Sequence, residues 1–242
     1  MTVISETSEN LVNSELPANP PRQRWVGAAG LLMCAAFILS FVIAFGAPEA
    51  IRSDEQILDW YLDSTNQLRF VLGTLVGALG GLALVVFIVG LRRMLSEAGA
   101  PEALVEVAYV GGIVLVAMIA VGAAIGSSVA VTLTFSDQFT LEPDTARLVL
   151  TIGNIWIPAF AGVPGALFLG AASLASRRAG LLPSWLVWVG FVLTPLAFLA
   201  FPGFAINTYL VAVWILLASI VLLRRRPAEQ GLETPSVAPH NP

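Results

Sequence analysis

Charged residues are scarce in this chain. Only 12% of its 242 residues are Asp, Glu, Lys or Arg, whereas 57% are apolar. A soluble domain carries about 25% charged residues, so these polar groups are too few to cover a globule in water. We therefore expect much of the surface to face lipid, as it does in an integral membrane protein.

Cysteine and histidine are almost absent. Cys34 is the only cysteine, and His240 is the only histidine. A single cysteine excludes an internal disulfide framework, a CxxC redox centre and a thiolate zinc site. Because His240 lies far from the apolar segments, no imidazole is left there for catalysis or haem ligation. We predict no metal site and no cofactor.

Lysine is missing altogether, so all twelve basic residues are arginines. A compositional bias of the source genome explains this more simply than a function does. The formal net charge is −4, and no basic cluster lies away from the edges of the apolar segments. We therefore predict no nucleic-acid partner.

Six apolar runs divide the chain, and none contains Asp, Glu, Arg or His: 25–47, 70–91, 107–135, 148–175, 185–201 and 204–223. A helix needs about 20 residues to cross a bilayer at a rise of 1.5 Å per residue. The fifth run is shorter, and Pro202–Gly203 predicts a tight turn after it. The sequence predicts an all-α fold with six transmembrane helices over residues 22–226. The polar segments 1–21 and 227–242 are predicted to be disordered cytoplasmic tails.

The arginines indicate the orientation of these spans. Nine of them fall on one side of the predicted membrane: Arg22, Arg24, Arg92, Arg93, Arg177, Arg178, Arg224, Arg225 and Arg226. The other side has three, which are Arg52, Arg69 and Arg147, together with eight acidic residues. The positive-inside tendency then places both ends of the chain in the cytoplasm.

The first outer loop contains a helix signal. Ser53 and Gln56 have the spacing of a capping box, and Ile57, Tyr61 and Leu68 recur near helical spacing. This pattern predicts a short amphipathic helix on the outer leaflet, with Trp60 and Tyr61 at headgroup depth. It could be a lid or a partner-docking surface, but an interfacial anchor is the more ordinary interpretation.

Small residues recur at steps of four in three spans: Gly73, Gly77 and Gly81, then Gly122 and Gly126, then Gly162, Ala166 and Gly170. Such stripes allow two helix backbones to approach closely in lipid. They are compatible with a homo-oligomer. We favour packing within the helix bundle, because the pattern is common by chance in Gly/Ala-rich spans.

The fourth span contains two prolines, Pro158 and Pro164. Pro158 frees the carbonyl of Asn154, and a freed carbonyl at membrane depth must find a donor or line a wet cavity. Discontinuous helices build the sites of many transporters, although simple kinks are more common. The predicted ligand-binding residues are Asn154, Trp156, Pro158, Ser127, Ser128 and Asn207.

Reactive groups are absent from the apolar runs. Coupled ion transport usually needs an intramembrane acid or base, and hydrolysis needs a nucleophile with its base or a set of metal ligands. None of these can be assembled here, so we predict that the protein is not an enzyme and has no catalytic residues.

Four short stretches carry a family resemblance: Glu-Gln-Ile-Leu-Asp-Trp-Tyr at 55–61, Gly-Leu-Arg-Arg at 90–93, Leu-Pro-Ser-Trp-Leu-Val-Trp-Val-Gly at 182–190 and Leu-Leu-Arg-Arg-Arg-Pro at 222–227. With them, residues 22–226 resemble a set of uncharacterised six-span actinobacterial membrane proteins of the domain-of-unknown-function type. The resemblance implies a location in the bacterial plasma membrane, but no activity and no functional residue.

Two functional hypotheses follow. The first is a non-enzymatic membrane protein that acts through helix packing or partner binding, the partner being a second copy or another membrane protein. The alternative is a carrier or binder of a small apolar or lipid-like molecule at the kinked fourth span.

Overall fold

The computed structural model describes residues 21–44, 46, 51–136, 138–199 and 206–224, except for the side chains of 21, 22, 154, 155, 158, 159, 199 and 206–208. Within these ranges the chain forms helices and no strand, which confirms the all-α prediction. Apart from residue 21, the predicted tails lie outside the described residues, as does the predicted turn at Pro202–Gly203. The helices are α1 (Pro21–Ile43), α2 (Asp54–Leu62), α3 (Ser64–Glu97), α4 (Glu102–Phe135), α5 (Pro143–Trp156), a π-helical turn (Ile157–Ala161), α6 (Gly162–Ala179), α7 (Ser184–Leu199) and α8 (Ile206–Arg224).

Three of these helices are long enough and apolar enough to cross a membrane, where the sequence predicted six. They are Gln23–Ile43 within α1, and the whole of α3 and α4, which have 34 residues each. The fourth apolar run is divided by the π turn into helices of 14 and 18 residues. The fifth has only 16 residues in α7, and the side chains of α8 are described from Tyr209 onward.

Helices α1 and α3 pack along a seam with steps of three and four residues. On α3 the seam follows Gly73, Gly77, Gly80, Leu84, Phe87 and Gly90, and on α1 it follows Val26, Gly30, Met33, Phe37, Ser40 and Ala44. Gly73 lies against Ala44, and Gly90 lies against Val26, so the two helices are antiparallel. Steps of three and four residues keep the seam facing its partner, as in a coiled coil.

Six helices close into a ring. Helix α1 packs against α3, α3 against α4, α4 against α6, α6 against α7, α7 against α8, and α8 against α1. The interior of the ring is filled by large side chains such as Phe87, Phe168 and Trp214, each at most 1% exposed. The rings of Phe168 and Trp214 meet edge-on at 5.9 Å.

The outer surface of the ring is apolar as well. Leu79, Leu82 and Val192 are 62%, 65% and 58% exposed, and many other large apolar residues resemble them. Such a surface would be costly in water, because each square ångström of exposed apolar area forfeits about 25 cal/mol. It suits contact with lipid chains.

Two tight turns lie beside the paired arginines. Gly99 has φ +73° after α3, and Gly180 has φ +63° after α6. Glycine adopts this left-handed conformation without a Cβ penalty, and it commonly ends helices. Arg177 and Arg178 lie in the last turn of α6, whereas Arg92 and Arg93 lie five and four residues before the end of α3 at Glu97.

Candidate functional site

Helix α2 begins where the sequence predicts it. The Ser53 side chain accepts a hydrogen bond from the Gln56 backbone N–H at 3.3 Å, and the helix starts at Asp54. This serine satisfies one of the free N–H groups of the first turn. The predicted capping serine is confirmed.

The surroundings of the apolar face of α2 differ from the prediction, which placed this face against the lipid of the outer leaflet. Ile57 and Tyr61 are fully buried in the protein, against Val129 and Ala130 of α4 and against Leu141, Ala146 and Leu150 at α5. The apolar face of α2 thus finds protein rather than lipid. Trp60 is half-buried and touches the rings of Tyr61 and Phe70 edge-on. We call α2 the cap.

Both ends of the cap are fixed. At its N-terminal end, Arg147 Nη2 on α5 donates to Asp54 Oδ1 at 2.6 Å and to the Arg52 carbonyl at 3.1 Å. At its C-terminal end, the Gln67 and Asn66 side-chain amides of α3 donate to the carbonyls of Tyr61 and Trp60 at 2.7 and 3.3 Å. Arg147 therefore links α5 to the cap.

Beneath the cap, the Tyr61 hydroxyl is buried and has no hydrogen-bond partner in the described part of the chain. Burial disfavours the phenolate and raises the pKa of Tyr61 to about 12. The Tyr61 ring therefore contributes by packing, while its hydroxyl group lacks the partner that a buried polar group normally has.

The fourth span is continuous through its prolines. Residues 143–179 remain helical, and the chain widens into a π turn from Ile157 to Ala161 instead of breaking. The backbone at Trp156 and Ile157 keeps right-handed helical angles. An extra residue in the turn is one way in which a helix absorbs an internal proline, and π turns occur often at functional sites.

The predicted ligand-binding residues are only partly described. Trp156 contacts Gly122, its ring lies 4.5 Å from that of Phe160, and its indole N–H is buried without a partner among the described residues. Ser127 Oγ and Ser128 Oγ donate to carbonyls of their own helix, at Ala123 and Ile125, as hydroxyls in apolar helices commonly do. The side chains of Asn154, Pro158 and Asn207 lie outside the described residues.

The glycines of α4 and α5 form a close helix–helix contact. A Cβ on Gly153 would lie 2.9 Å from the Cα of Gly126, and a Cβ on Gly122 would lie 2.5 Å from Ile157 Cγ1. Sequence reasoning named Gly122 and Gly126 but missed Gly153. Gly153 could have been found from the sequence Thr-Ile-Gly-Asn-Ile at 151–155, because an isolated glycine within a span often marks a close approach of two helices.

The other predicted packing glycines divide into two groups. Gly73 and Gly77 lie against α1, Gly162 is buried, and Gly170 lies against Thr194 of α7. Gly81 has open space around it, so its assignment to the α3 groove is wrong. Gly80 takes that place, because a Cβ added to Gly80 would lie 3.1 Å from Ala36 Cβ. The reason is the seam itself, which follows steps of four and three rather than a constant step of four.

Three serines that the sequence analysis did not select are fully buried in the ring: Ser173, Ser176 and Ser219. Their hydroxyl oxygens and the Trp214 indole nitrogen have no hydrogen-bond partner in the described part of the chain. A Cβ on Gly190 would collide with Ser173 Oγ and lie 2.9 Å from Trp214 Nε1. The packing there depends on small residues.

A cavity of about 20 Å³ lies inside the ring. Its walls are apolar side chains of α1, α3, α4 and α8: Met33, Phe37, Leu84, Leu115, Ile119, Val211, Ala212 and Ile215. The volume is that of one water molecule, but a water needs polar partners that these side chains do not offer. The described residues also contain no group of three or more His, Cys, Asp or Glu that could hold a metal ion.

Comparisons of the chain with protein-family models, with curated proteins and with solved structures found no match.

Proposed function

We propose that the chain is a non-enzymatic protein of the bacterial plasma membrane that crosses the bilayer six times, with both ends in the cytoplasm, and acts by helix packing and partner binding. The ring of six helices supports the six-span part, because each helix contacts two neighbours and presents apolar residues outward. Most packing glycines are occupied by contacts inside the ring, which supports an internal role for them rather than a role in dimerisation.

The fixed position of the cap is the observation that supports partner binding. It is fixed at both ends by side chains of α5 and α3, so its outer face is held in one orientation. That face presents Glu55 and Asp59 to solvent, together with Leu62, which is 62% exposed. A rigid face with acidic and apolar groups favours a partner that offers basic and apolar side chains, since charge complementarity selects partners.

Crosslinking from single cysteines tests this surface. Cys34 is buried, so an Asp59→Cys variant carries one accessible thiol among the described residues. In native membranes, a photoactivatable maleimide on Asp59→Cys should give a crosslinked species. Thr140→Cys, in the loop before α5, serves as the outer-side control. The same products from both variants, or none from Asp59→Cys, would contradict the cap as the binding surface.

The orientation has its own test. A membrane-impermeant maleimide should label Asp59→Cys in intact cells, whereas Arg93→Cys and Arg178→Cys should react only after the membrane is permeabilised. Labelling of either arginine position in intact cells would overturn the proposed orientation.

A second candidate function is the binding of a lipid-like molecule at the π turn. The observation that favours it is the indole N–H of Trp156, which is buried without a partner in the described part of the chain, beside Phe160, itself 52% exposed. A buried donor without an acceptor costs about 1–3 kcal/mol, so a ligand carbonyl at this place would bind favourably. Monoolein should then raise the melting temperature of the parent but not of Asn154→Leu or Trp156→Phe. Equal stabilisation of all three would reject the site.

A further inference from the structure

Two arginine–aromatic pairs lie on the side of the ring where the sequence concentrates its arginines. Arg92 of α3 lies over the Tyr109 ring of α4, 4.8 Å from its centroid, and Arg177 of α6 lies over the Trp188 ring of α7, at 5.7 Å. Both distances are within the range of a cation–π interaction. The two pairs differ in the way their charge is balanced.

Arg92 is neutralised by a carboxylate. Its Nη2 and Nε donate to Glu106 Oε1 at 2.6 and 3.1 Å. Arg177 and Arg178 form no ion pair within the described part of the chain. The sequence explains the difference, because no Asp or Glu occurs anywhere from 145 to 228. The α6–α7 turn therefore carries two arginines and no acidic residue of its own.

The geometry leaves these guanidinium groups available. Arg177 and Arg178 are both exposed, and neither guanidinium donates an N–H hydrogen bond within the described part of the chain. Those N–H groups form a planar fork that matches two oxygens of a phosphate. Trp185 and Trp188 are 51% and 60% exposed. Tryptophan is enriched at membrane–water interfaces, where its ring lies among the lipid headgroups.

The turn that joins the two helices is anchored in the protein. Leu181 and Leu182 are 6% and 5% exposed, and the Leu181 N–H donates to the Ser176 carbonyl at 3.0 Å. With Gly180 in the left-handed conformation, this fixes the end of α6 relative to the start of α7. The arginines and tryptophans are thus held together on one rigid turn.

We propose that Arg177, Arg178 and Trp188 form a binding site for the phosphate of an anionic phospholipid, in the leaflet that faces the α6–α7 turn. The two arginines bind the phosphate oxygens, and the Trp188 ring orients Arg177 while it lies among the glycerol and upper acyl groups. The site rests on the membrane location in the proposed function. It does not depend on the partner of the cap.

The test uses the full chain in lipid nanodiscs, made either from phosphatidylcholine alone or with one third phosphatidylglycerol. A lipid that binds only the folded protein stabilises it. With two arginines near the headgroups, phosphatidylglycerol should raise the melting temperature of the parent by about 4–8 °C. The double variant Arg177→Gln/Arg178→Gln should lose more than half of this shift. The matched control, Arg92→Gln/Arg93→Gln, removes two charges from the same side and should keep it.

Three results would overturn the site. The first is that phosphatidylglycerol does not shift the melting temperature of the parent. The second is that both double variants lose the shift equally, which would indicate a general effect of positive charge. The third is an equal shift in melting temperature when inorganic phosphate is added to phosphatidylcholine discs. If the Arg177/Arg178 variant does not fold, Trp188→Leu replaces it and should lose part of the shift, and an undiminished shift would contradict the site. Failure of the parent to enter discs at all would instead refute the membrane location.

Discussion

Adjacent glycines on α3 provide a matched pair for testing the α1–α3 seam. A Cβ on Gly80 would lie 3.1 Å from Ala36 Cβ and 3.5 Å from the Met33 carbonyl oxygen, whereas a Cβ on Gly81 would meet nothing within 4 Å. Replacing either residue by Leu gives the same gain in helix propensity, about 0.8 kcal/mol. The difference between the two variants therefore isolates the helix–helix contact.

The size of the effect follows from these distances. Carbon atoms pack best at about 3.5–4.0 Å, so in Gly80→Leu even the first side-chain carbon requires α1 and α3 to separate by about half an ångström. Overpacking of this kind costs about 1–3 kcal/mol. At about 2–4 °C per kcal/mol for a chain of this size, Gly80→Leu should melt about 2–12 °C below Gly81→Leu.

Thermal unfolding of both variants in detergent, followed by tryptophan fluorescence, measures this difference. Gly81→Leu should melt at or slightly above the parent temperature. If the two variants melt together, the close contact described at Gly80 is wrong. If Gly81→Leu is the less stable, the seam runs through Gly81 instead.

Three further predictions concern buried polar groups. Tyr61→Phe removes a hydroxyl that has no partner among the described residues, so it should leave stability unchanged or raise it by up to about 1 kcal/mol, as measured by thermal unfolding; Tyr61→Ala, the control, should cost about 3–5 kcal/mol. Burial raises the pKa of Tyr61 to about 12, whereas a tyrosine in the unfolded chain ionises near pH 10. The contribution of Tyr61 to the free energy of unfolding is therefore complete below pH 10 and is lost as the pH rises toward 12. That part of the alkaline stability loss should be absent in Tyr61→Phe, and identical profiles would show that Tyr61 is not the titrating group. Cys34 is 7% exposed, so a maleimide should modify it only after denaturation, and rapid labelling of the folded protein would contradict its burial. Ser173→Ala removes a buried hydroxyl that is likewise unpartnered in the described ranges, and should be neutral or stabilising by up to about 1 kcal/mol; a large loss would reveal a hydrogen bond that the structure does not contain.

Helix positions were the most predictable part of the fold. The run at 107–135 corresponds to α4, which begins five residues earlier at Glu102 and ends at the same residue, Phe135. The Ser53 cap was also predictable, because its signal is local and depends on only four residues. Apolar length and capping both operate within a single helix, so one sequence is enough to show them.

Contacts between helices were harder to predict. Tyr61 was expected at headgroup depth because its periodicity gives an amphipathic helix, but periodicity does not say whether protein or lipid covers the apolar face. Gly81 was chosen over Gly80 because a constant step of four ignores the curvature of two helices around each other. The widening at Ile157–Ala161 was also missed, since Pro158 predicts a kink without indicating whether the helix opens or absorbs an extra residue.

The antiparallel contact between α1 and α8 has a consequence for assembly of the protein. An added Cβ on Gly27 would lie 2.8 Å from Leu223 Cγ, and the Cys34 thiol lies 3.6 Å from the Ala212 carbonyl oxygen. One flank of α1, the first of the described helices, is therefore completed only by α8, the last of them. Because α8 covers this small-residue flank of α1 in the folded protein, the ring can close only after α8 has been translated.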